Sequence, residues 1–145
     1  MEFDNSFKLE FEAKNVNEGF ARGVVALFCM DLKPTMSEIN DIKTAVSEAV
    51  TNSIVHGYPN DVGEIVIQSE IIENAIHINI FDNGVGIENV SKALEPFYTS
   101  KPEEERSGMG FTIMKSFMDE VKVESEKGKG TKIYMTKIIA PTNKE

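Results

Sequence analysis

Glu64-Ile65-Val66-Ile67-Gln68-Ser69-Glu70-Ile71-Ile72-Glu73-Asn74-Ala75-Ile76-His77-Ile78-Asn79-Ile80-Phe81 is the stretch on which the fold turns. It holds two runs rich in isoleucine and valine, Glu64 to Ile72 and Ala75 to Phe81, parted only by Glu73-Asn74. β-branched residues favour the pleated, half-buried surface of a strand, and a two-residue connection can only reverse the chain. The stretch therefore predicts an antiparallel hairpin. Parallel neighbours would need a crossover of about a dozen residues or more, so a doubly wound parallel sheet is disfavoured.

Upstream, Phe7, Leu9 and Phe11 alternate with Lys8, Glu10 and Glu12, the period of a strand with one buried face. Asn15 or Asn17 can cap a following helix, in which Phe20, Val24, Leu27 and Phe28 recur at helical spacing up to the break at Pro34. Thr35-Met36-Ser37-Glu38 has the form of a capping box, and Ile39, Ile42, Val46, Ala49 and Val50 then trace an apolar stripe that ends near Gly57.

Downstream, Ser91 to Ser107 has two prolines and a charged run but little apolar period, and reads as a mobile loop. Phe111, Met114, Phe117 and Met118 make another helical stripe. Val121-Lys122-Val123 and Thr131 to Ile138 make a last hairpin across Lys127-Gly128-Lys129-Gly130, and residues 141–145 read as a frayed tail. The order β-α-α-β-β-α-β-β implies an α/β (α+β) two-layer sandwich, a mixed, mostly antiparallel sheet with its helices on one face.

Over 145 residues, 41% hydrophobic and 27% charged, the chain has the size and composition of one globular domain, 1–145. Its formal charge of -9 opposes direct binding to a nucleic-acid backbone. No apolar run approaches the roughly 20 residues that span a bilayer, and no basic flank leads into a signal segment. Cys29, the sole cysteine, sits in the apolar stretch Val24 to Cys29, where a buried thiol in a reducing cytoplasm is expected. His56 and His77 have no companions at zinc spacing and read as structural or exposed.

Glu48 and Asn52, four apart, share one face of the second helix beside its apolar stripe. An Asn carbonyl oxygen suits Mg²⁺, which takes few protein ligands, and a carboxylate one turn away can accept a proton during phosphoryl transfer. Taken alone, the pair reads as a solvated polar face. Asp82 ends a strand ahead of Gly84 and Gly86, a turn that leaves room for a flat ring, with a carboxylate able to accept from an exocyclic amine as on adenine. Taken alone, it reads as a strand-ending turn.

Ser107-Gly108-Met109-Gly110-Phe111 opens the third main helix, whose N-terminus is suited to anions. Thr99 or Ser100, Lys101 and Arg106 can bring a hydroxyl and two cations to a terminal phosphate, or form only an exposed charged loop. Gly130-Thr131 is a hairpin turn from which Thr131 can face the base.

Glu48-Ala49-Val50-Thr51-Asn52, Asp82-Asn83-Gly84-Val85-Gly86, Gly108-Met109-Gly110 and Gly130-Thr131, in that order, resemble the N, G1 and G2 boxes and closing Gly-Thr of the GHKL ATPases. Ala45 to Asn52 through His56-Gly57-Tyr58, and Arg106 to Met114, resemble the bacterial anti-sigma serine kinases of that superfamily. Gly84-Val85-Gly86 and Pro34-Thr35-Met36 favour their sporulation branch, and the resemblance runs from the first strand to Ile138.

The resemblance implies a Bergerat-type ATP-binding fold and an ATP- and Mg²⁺-dependent kinase that phosphorylates a serine of an anti-anti-sigma protein. It further implies a cytoplasmic homodimer that, with nucleotide bound, holds RNA polymerase sigma factor F. On that pattern Glu48 is the general base, Asn52 the Mg²⁺ ligand, Asp82 the adenine reader, and Arg22 the grip for both partners. Gly84 and Gly86 admit adenine, Gly108 and Gly110 belong to a phosphate lid, and Thr131 lies beside the base. Two alternatives stay open: a stress-response anti-sigma B type kinase, and a nucleotide-gated anti-sigma binding module without catalysis. A detached histidine-kinase catalytic domain ranks last, since His56 lies inside the nucleotide box region.

Overall fold

The computed structural model describes residues 4–95 and 110–140. Among these residues the order is β1 (Asn5–Glu12), α1 (Val16–Phe28), a 3₁₀ turn (Cys29–Leu32), α2 (Met36–Asn52), a π-helical turn (Ser53–Gly57), β2 (Glu64–Ile72), β3 (Ala75–Asp82), α3 (Val90–Ala93), α4 (Gly110–Phe117), β4 (Glu120–Ser125) and β5 (Thr131–Ile138). The strands lie in the order β1-β2-β3-β5-β4. Every pairing is antiparallel, so the sheet has no parallel member to make it mixed.

The hairpin that decides the fold forms as expected, Ile65 opposite Asp82 and Ile72 opposite Ala75. Its turn puts Glu73 at φ 54°, and Asp4 Oδ2 accepts from the Glu73 N–H at 2.7 Å. Alternate residues of the hairpin face the helices: Ile65, Ile67, Ile71, Ile76, Ile78 and Ile80 are all buried. Each such side chain contributes roughly 2–3 kcal/mol of transfer free energy. Ser69 falls on the same face, and its hydroxyl is satisfied by the carbonyl of His77 at 2.8 Å.

α2 is the central helix and packs against both α1 and α4. Its capping box is complete: Thr35 Oγ1 accepts from the Glu38 N–H at 3.1 Å, and Glu38 Oε1 accepts from the Thr35 N–H at 2.8 Å. Ile39, Ile42, Val46, Ala49 and Val50 are buried as the stripe requires. From β5, Lys137 reaches Asp41 of α2 at 3.1 Å and donates to the Phe117 carbonyl at the end of α4 at 2.7 Å. One ammonium thus ties two helices to the sheet.

α1 departs from the sequence reading. Its buried residues are Ala21, Val25 and Ala26, followed by Cys29, whereas Phe20 and Leu27 are 53% and 75% exposed. The helix has two apolar faces, and the small side chains, not the large ones, are turned inward where α1 packs close to α2. Neither asparagine caps it in the expected way: Asn15 has helical φ/ψ without a side-chain cap bond, and Asn17 Nδ2 donates back to the Glu12 carbonyl at 2.9 Å.

Cys29 is buried as expected, its thiol donates to the Ala26 carbonyl at 3.0 Å, and burial pushes its pKa up to about 11. Within the segment read as irregular, Val90–Ala93 forms the short α3, capped by Asn89. The rest of that segment beyond residue 95, and the tail of residues 141–145, lie outside the described residues.

Candidate functional site

The C-terminal end of α2 does not stop but widens into the π-helical turn Ser53–Gly57. Such turns insert extra length into a helix and recur at functional sites. Here the turn brings Ser53 and Gly57 against the end of β3. Ser53 Oγ donates to Asp82 Oδ2 at 2.7 Å, and the Gly57 carbonyl accepts from the Val85 N–H at 2.8 Å.

Asp82 is only 4% exposed. Besides Ser53, its carboxylate accepts from the Gly84 N–H at 3.0 Å through Oδ1, and the backbone of Thr131, its cross-strand partner, also favours its charged form. Burial raises its pKa above the ordinary aspartate value, and these three interactions oppose that rise without cancelling it. A carboxylate offers about four acceptor positions, so the bonds from Ser53 and Gly84 leave room for an exocyclic amine. The donor set therefore fits an adenine ring.

The glycines of the turn also serve the packing around it. A Cβ on Gly84 would meet the main chain of Gly57, and one on Gly86, at φ 75°, would meet the carbonyl of Glu126. The close approach they permit is of main chain to main chain, which locks the turn between the end of α2 and the β4–β5 hairpin. The Gly128 N–H donates to the Val85 carbonyl at 2.6 Å, completing that clamp.

Ser125 was not singled out from sequence, yet it organises this corner. Its hydroxyl donates to the Gly130 carbonyl at 2.7 Å, stands 2.8 Å from Thr131 Oγ1 and accepts from the Ile87 N–H at 2.7 Å. Tyr58 is a second such residue: its hydroxyl donates to the Glu64 carbonyl and accepts from the Asn83 N–H, each at 2.7 Å. Ser53 carried a legible signal, because a hydroxyl on the buried stripe of α2 must find a partner. Ser125 was legible only through strand register, as the residue opposite Thr131.

The structure thus brings Asp82, Gly84, Gly86 and Thr131 together. Glu48 and Asn52 stand half-buried on α2, with Asn52 directly before Ser53. From Glu48 to Ser53 the rise along the axis is about 7 Å, at roughly 1.5 Å per residue. Among the described residues no group of three or more His, Cys, Asp or Glu could hold a metal ion. The neutral amide oxygen of Asn52 fits the chemistry of an ion held mainly by phosphates and water.

On the other side of Glu48 an open depression of about 290 Å³ lies between the two helices, lined by Arg22, Asn40, Lys43, Thr44, Ser47 and Glu48. Arg22 Nε stands 3.1 Å from Glu18 Oε2, an ionic contact without hydrogen-bond geometry, which leaves that buried oxygen with no hydrogen-bond partner among the described residues. Gly110 opens α4, and Phe111 is buried behind it. Thr99, Ser100, Lys101, Arg106, Ser107, Gly108 and Met109 lie outside the described residues. No helix of the described residues is long and apolar enough to cross a membrane.

Residues 11–137 match the family model described as histidine kinase-like ATPase domain. The chain is 58% identical over 137 residues to an anti-sigma F factor from Clostridium acetobutylicum, with 94% of this chain and 96% of that protein covered. It is 60% identical over 135 residues to one from Clostridium perfringens, covering 92% and 96%. It is 56% identical over 139 residues to one from Caldanaerobacter subterraneus subsp. tengcongensis, covering 96% and 97%. Among solved structures, the RsbU and RsbW domains of a Mycobacterium tuberculosis protein superpose with a TM-score of 0.67 at 18% identity, covering 93% of this chain. The chain spans 32% of that longer protein, and the likeness is one of fold.

Proposed function

Because the chain belongs to the histidine kinase-like ATPase family and, within it, to the anti-sigma F factors, we propose that it is an ATP- and Mg²⁺-dependent protein-serine kinase as well as an anti-sigma factor. In the ATP-bound state it holds sigma factor F, and it inactivates its anti-anti-sigma antagonist by phosphorylating a serine on it. The observation that carries this reading is the arrangement along α2: the buried Asp82–Ser53 contact at one end, Asn52 next, and Glu48 opening into the depression beyond. The helix that carries the proton acceptor is thereby tied, through Ser53, to the end of the strand that carries the adenine reader, which suits transfer to a second molecule.

In the transfer, Glu48 accepts the proton of the acceptor serine hydroxyl as its oxygen bonds to the terminal phosphorus and the bond from that phosphorus to the leaving ADP oxygen breaks. Asp82 orients the base, and Ser53 and the Gly84 N–H orient Asp82. Mg²⁺, when bound, offsets phosphate charge, and Asn52 would hold it through its amide oxygen. Arg22 grips the protein partners, which compete for it. On α1, Val16, Phe20 and Leu27 recur on an exposed apolar stripe, and this supports a homodimer.

The test is to mix the protein with Mg-ATP and its anti-anti-sigma protein and to map the product by mass spectrometry. The expected product is one phosphoserine on the acceptor. An unmodified acceptor, with sigma binding retained, would leave a nucleotide-gated binding module instead.

A further inference from the structure

The depression between α1 and α2 runs away from the adenine end of α2. Lys43 precedes Glu48 by five residues and Ser53 by ten, roughly 7 and 15 Å along the helix axis. A nucleotide read at Asp82 therefore approaches Glu48 from the C-terminal side, whereas Asn40, Lys43, Thr44 and Ser47 lie on its N-terminal side. These residues fall at helical spacing on one face, so they form a continuous polar wall and not a scatter. Across from them stands Arg22.

The charge of this wall runs against the molecule. In a chain of formal charge -9, the lining of the depression carries two cations, Arg22 and Lys43, against the one carboxylate of Glu48, and of the two cations Arg22 is already paired with Glu18. Lys137 and Lys122 are each held by a carboxylate at 3.1 and 3.4 Å, whereas Lys43, half-buried, forms no ion pair among the described residues. Asn40, Thr44 and Ser47 add neutral donors and acceptors of the kind that bind main chain. At about 290 Å³ and open to solvent, the space is at the low end of enclosed small-molecule pockets, roughly 300–1,000 Å³, and better suits a short stretch of chain laid across it.

We propose that this depression is the seat of the acceptor segment and that Lys43 is its specificity-determining residue, reading an acidic side chain beside the phosphorylated serine. The proposal rests on the kinase reading above for the identity of the acceptor. An acidic residue seated at Lys43 places the serine hydroxyl about one helical turn further on, at Glu48. Its binding partner is thus a protein segment in which a serine has a carboxylate for a near neighbour.

The experiment uses the full-length protein, its anti-anti-sigma protein, and the variants Lys43→Glu, Lys43→Gln and Lys43→Arg, with thermal melting as the check on folding. Lys43→Glu is expected to raise KM for the acceptor about tenfold at low salt, with kcat and ATP affinity within about twofold, Lys43→Gln to fall between, and Lys43→Arg to stay near wild type. Replacing the acidic residue next to the acceptor serine by lysine should restore binding to Lys43→Glu. Unchanged KM in both charge-removing variants, or a fall in kcat alone, would overturn the proposal. Calorimetric titration of the acceptor without turnover separates the two readings. An acceptor that binds, weakens with Lys43→Glu and yet receives no phosphate supports the seat and sinks the kinase. An acceptor that binds all variants equally, or binds none, sinks the seat.

Discussion

The two ends of α2 are built on opposite plans. At its C-terminal end, the buried Asp82 carboxylate is held by the Ser53 hydroxyl and the Gly84 N–H, and the glycine turn is clamped main chain to main chain. Toward the middle of the helix, the depression around Glu48 and Arg22 is open, polar and half-exposed. On the proposed reading the first end meets one rigid, unvarying ring, for which a preorganised and desolvated site is best, and the second meets protein surfaces, for which exposed, adjustable side chains are best. The difference teaches that one helix can combine a preorganised end with an open polar face, because the contacts that anchor it, at Ser53 on one side and at Thr35, Glu38 and Asp41 on the other, lie outside the depression.

Glu48→Gln probes that division most strongly. It is expected to slow phosphoryl transfer by roughly 10²–10⁴-fold while leaving ATP affinity and melting temperature alone. A matching loss of ATP affinity, read by calorimetry, would show that the two ends are not separable. Gly84→Val should do the converse, because its side chain meets the Gly57 main chain: a cost of about 2–3 kcal/mol, seen as a fall of roughly 8 °C in melting temperature with loss of nucleotide binding. Wild-type melting would mean that the clamp can open.

A third prediction uses pH. The folded Asp82 has a pKa above its unfolded value of about 3.8, because burial penalises its charge. Its contribution to stability is therefore full below the unfolded pKa and is lost as pH rises through the folded one, while its capacity to accept from adenine grows over the same window. Nucleotide affinity is expected to rise with a midpoint above pH 3.8, and Ser53→Ala, which removes a bond to the charged form, should move that midpoint higher still. A midpoint that stays put in Ser53→Ala would dismiss the serine as a partner of the charge. The smallest effect is that of Arg22→Ala on the fold, under about 1 kcal/mol because its pair with Glu18 is part-exposed, although binding of sigma factor F should weaken about tenfold.

Much of the architecture was legible because local patterns and tertiary contacts agree. The Glu64 to Phe81 hairpin, the Thr35 capping box and the α2 stripe each carry a signal that the fold has no reason to overrule. α1 was misread for a physical reason: two apolar faces compete, and hydrophobicity alone favours Phe20 and Leu27, whereas the closeness of α2 favours Ala21, Val25 and Ala26. For the site, Asp82, the glycines and Thr131 stood out by type and order. Tyr58 and Ser125 did not, since a hydroxyl acquires its role only from what register and a widened turn put beside it, and Ser53 showed only that it needs a partner, not which one.

That widened turn, Ser53–Gly57, has a consequence for how the chain can drift over generations. Surface loops absorb insertions and deletions readily, but here the count of residues is itself the constraint. Losing one residue between Ser53 and Gly57 would slide the ring of Tyr58 toward the place where only a glycine fits beneath Gly84, and gaining one would withdraw the glycine from it. Ser53 at one end of the turn is fixed by its hydroxyl and Gly57 at the other by its lack of a side chain, so a change of length displaces both at once and the ruler of the pocket is written in spacing as well as in side chains.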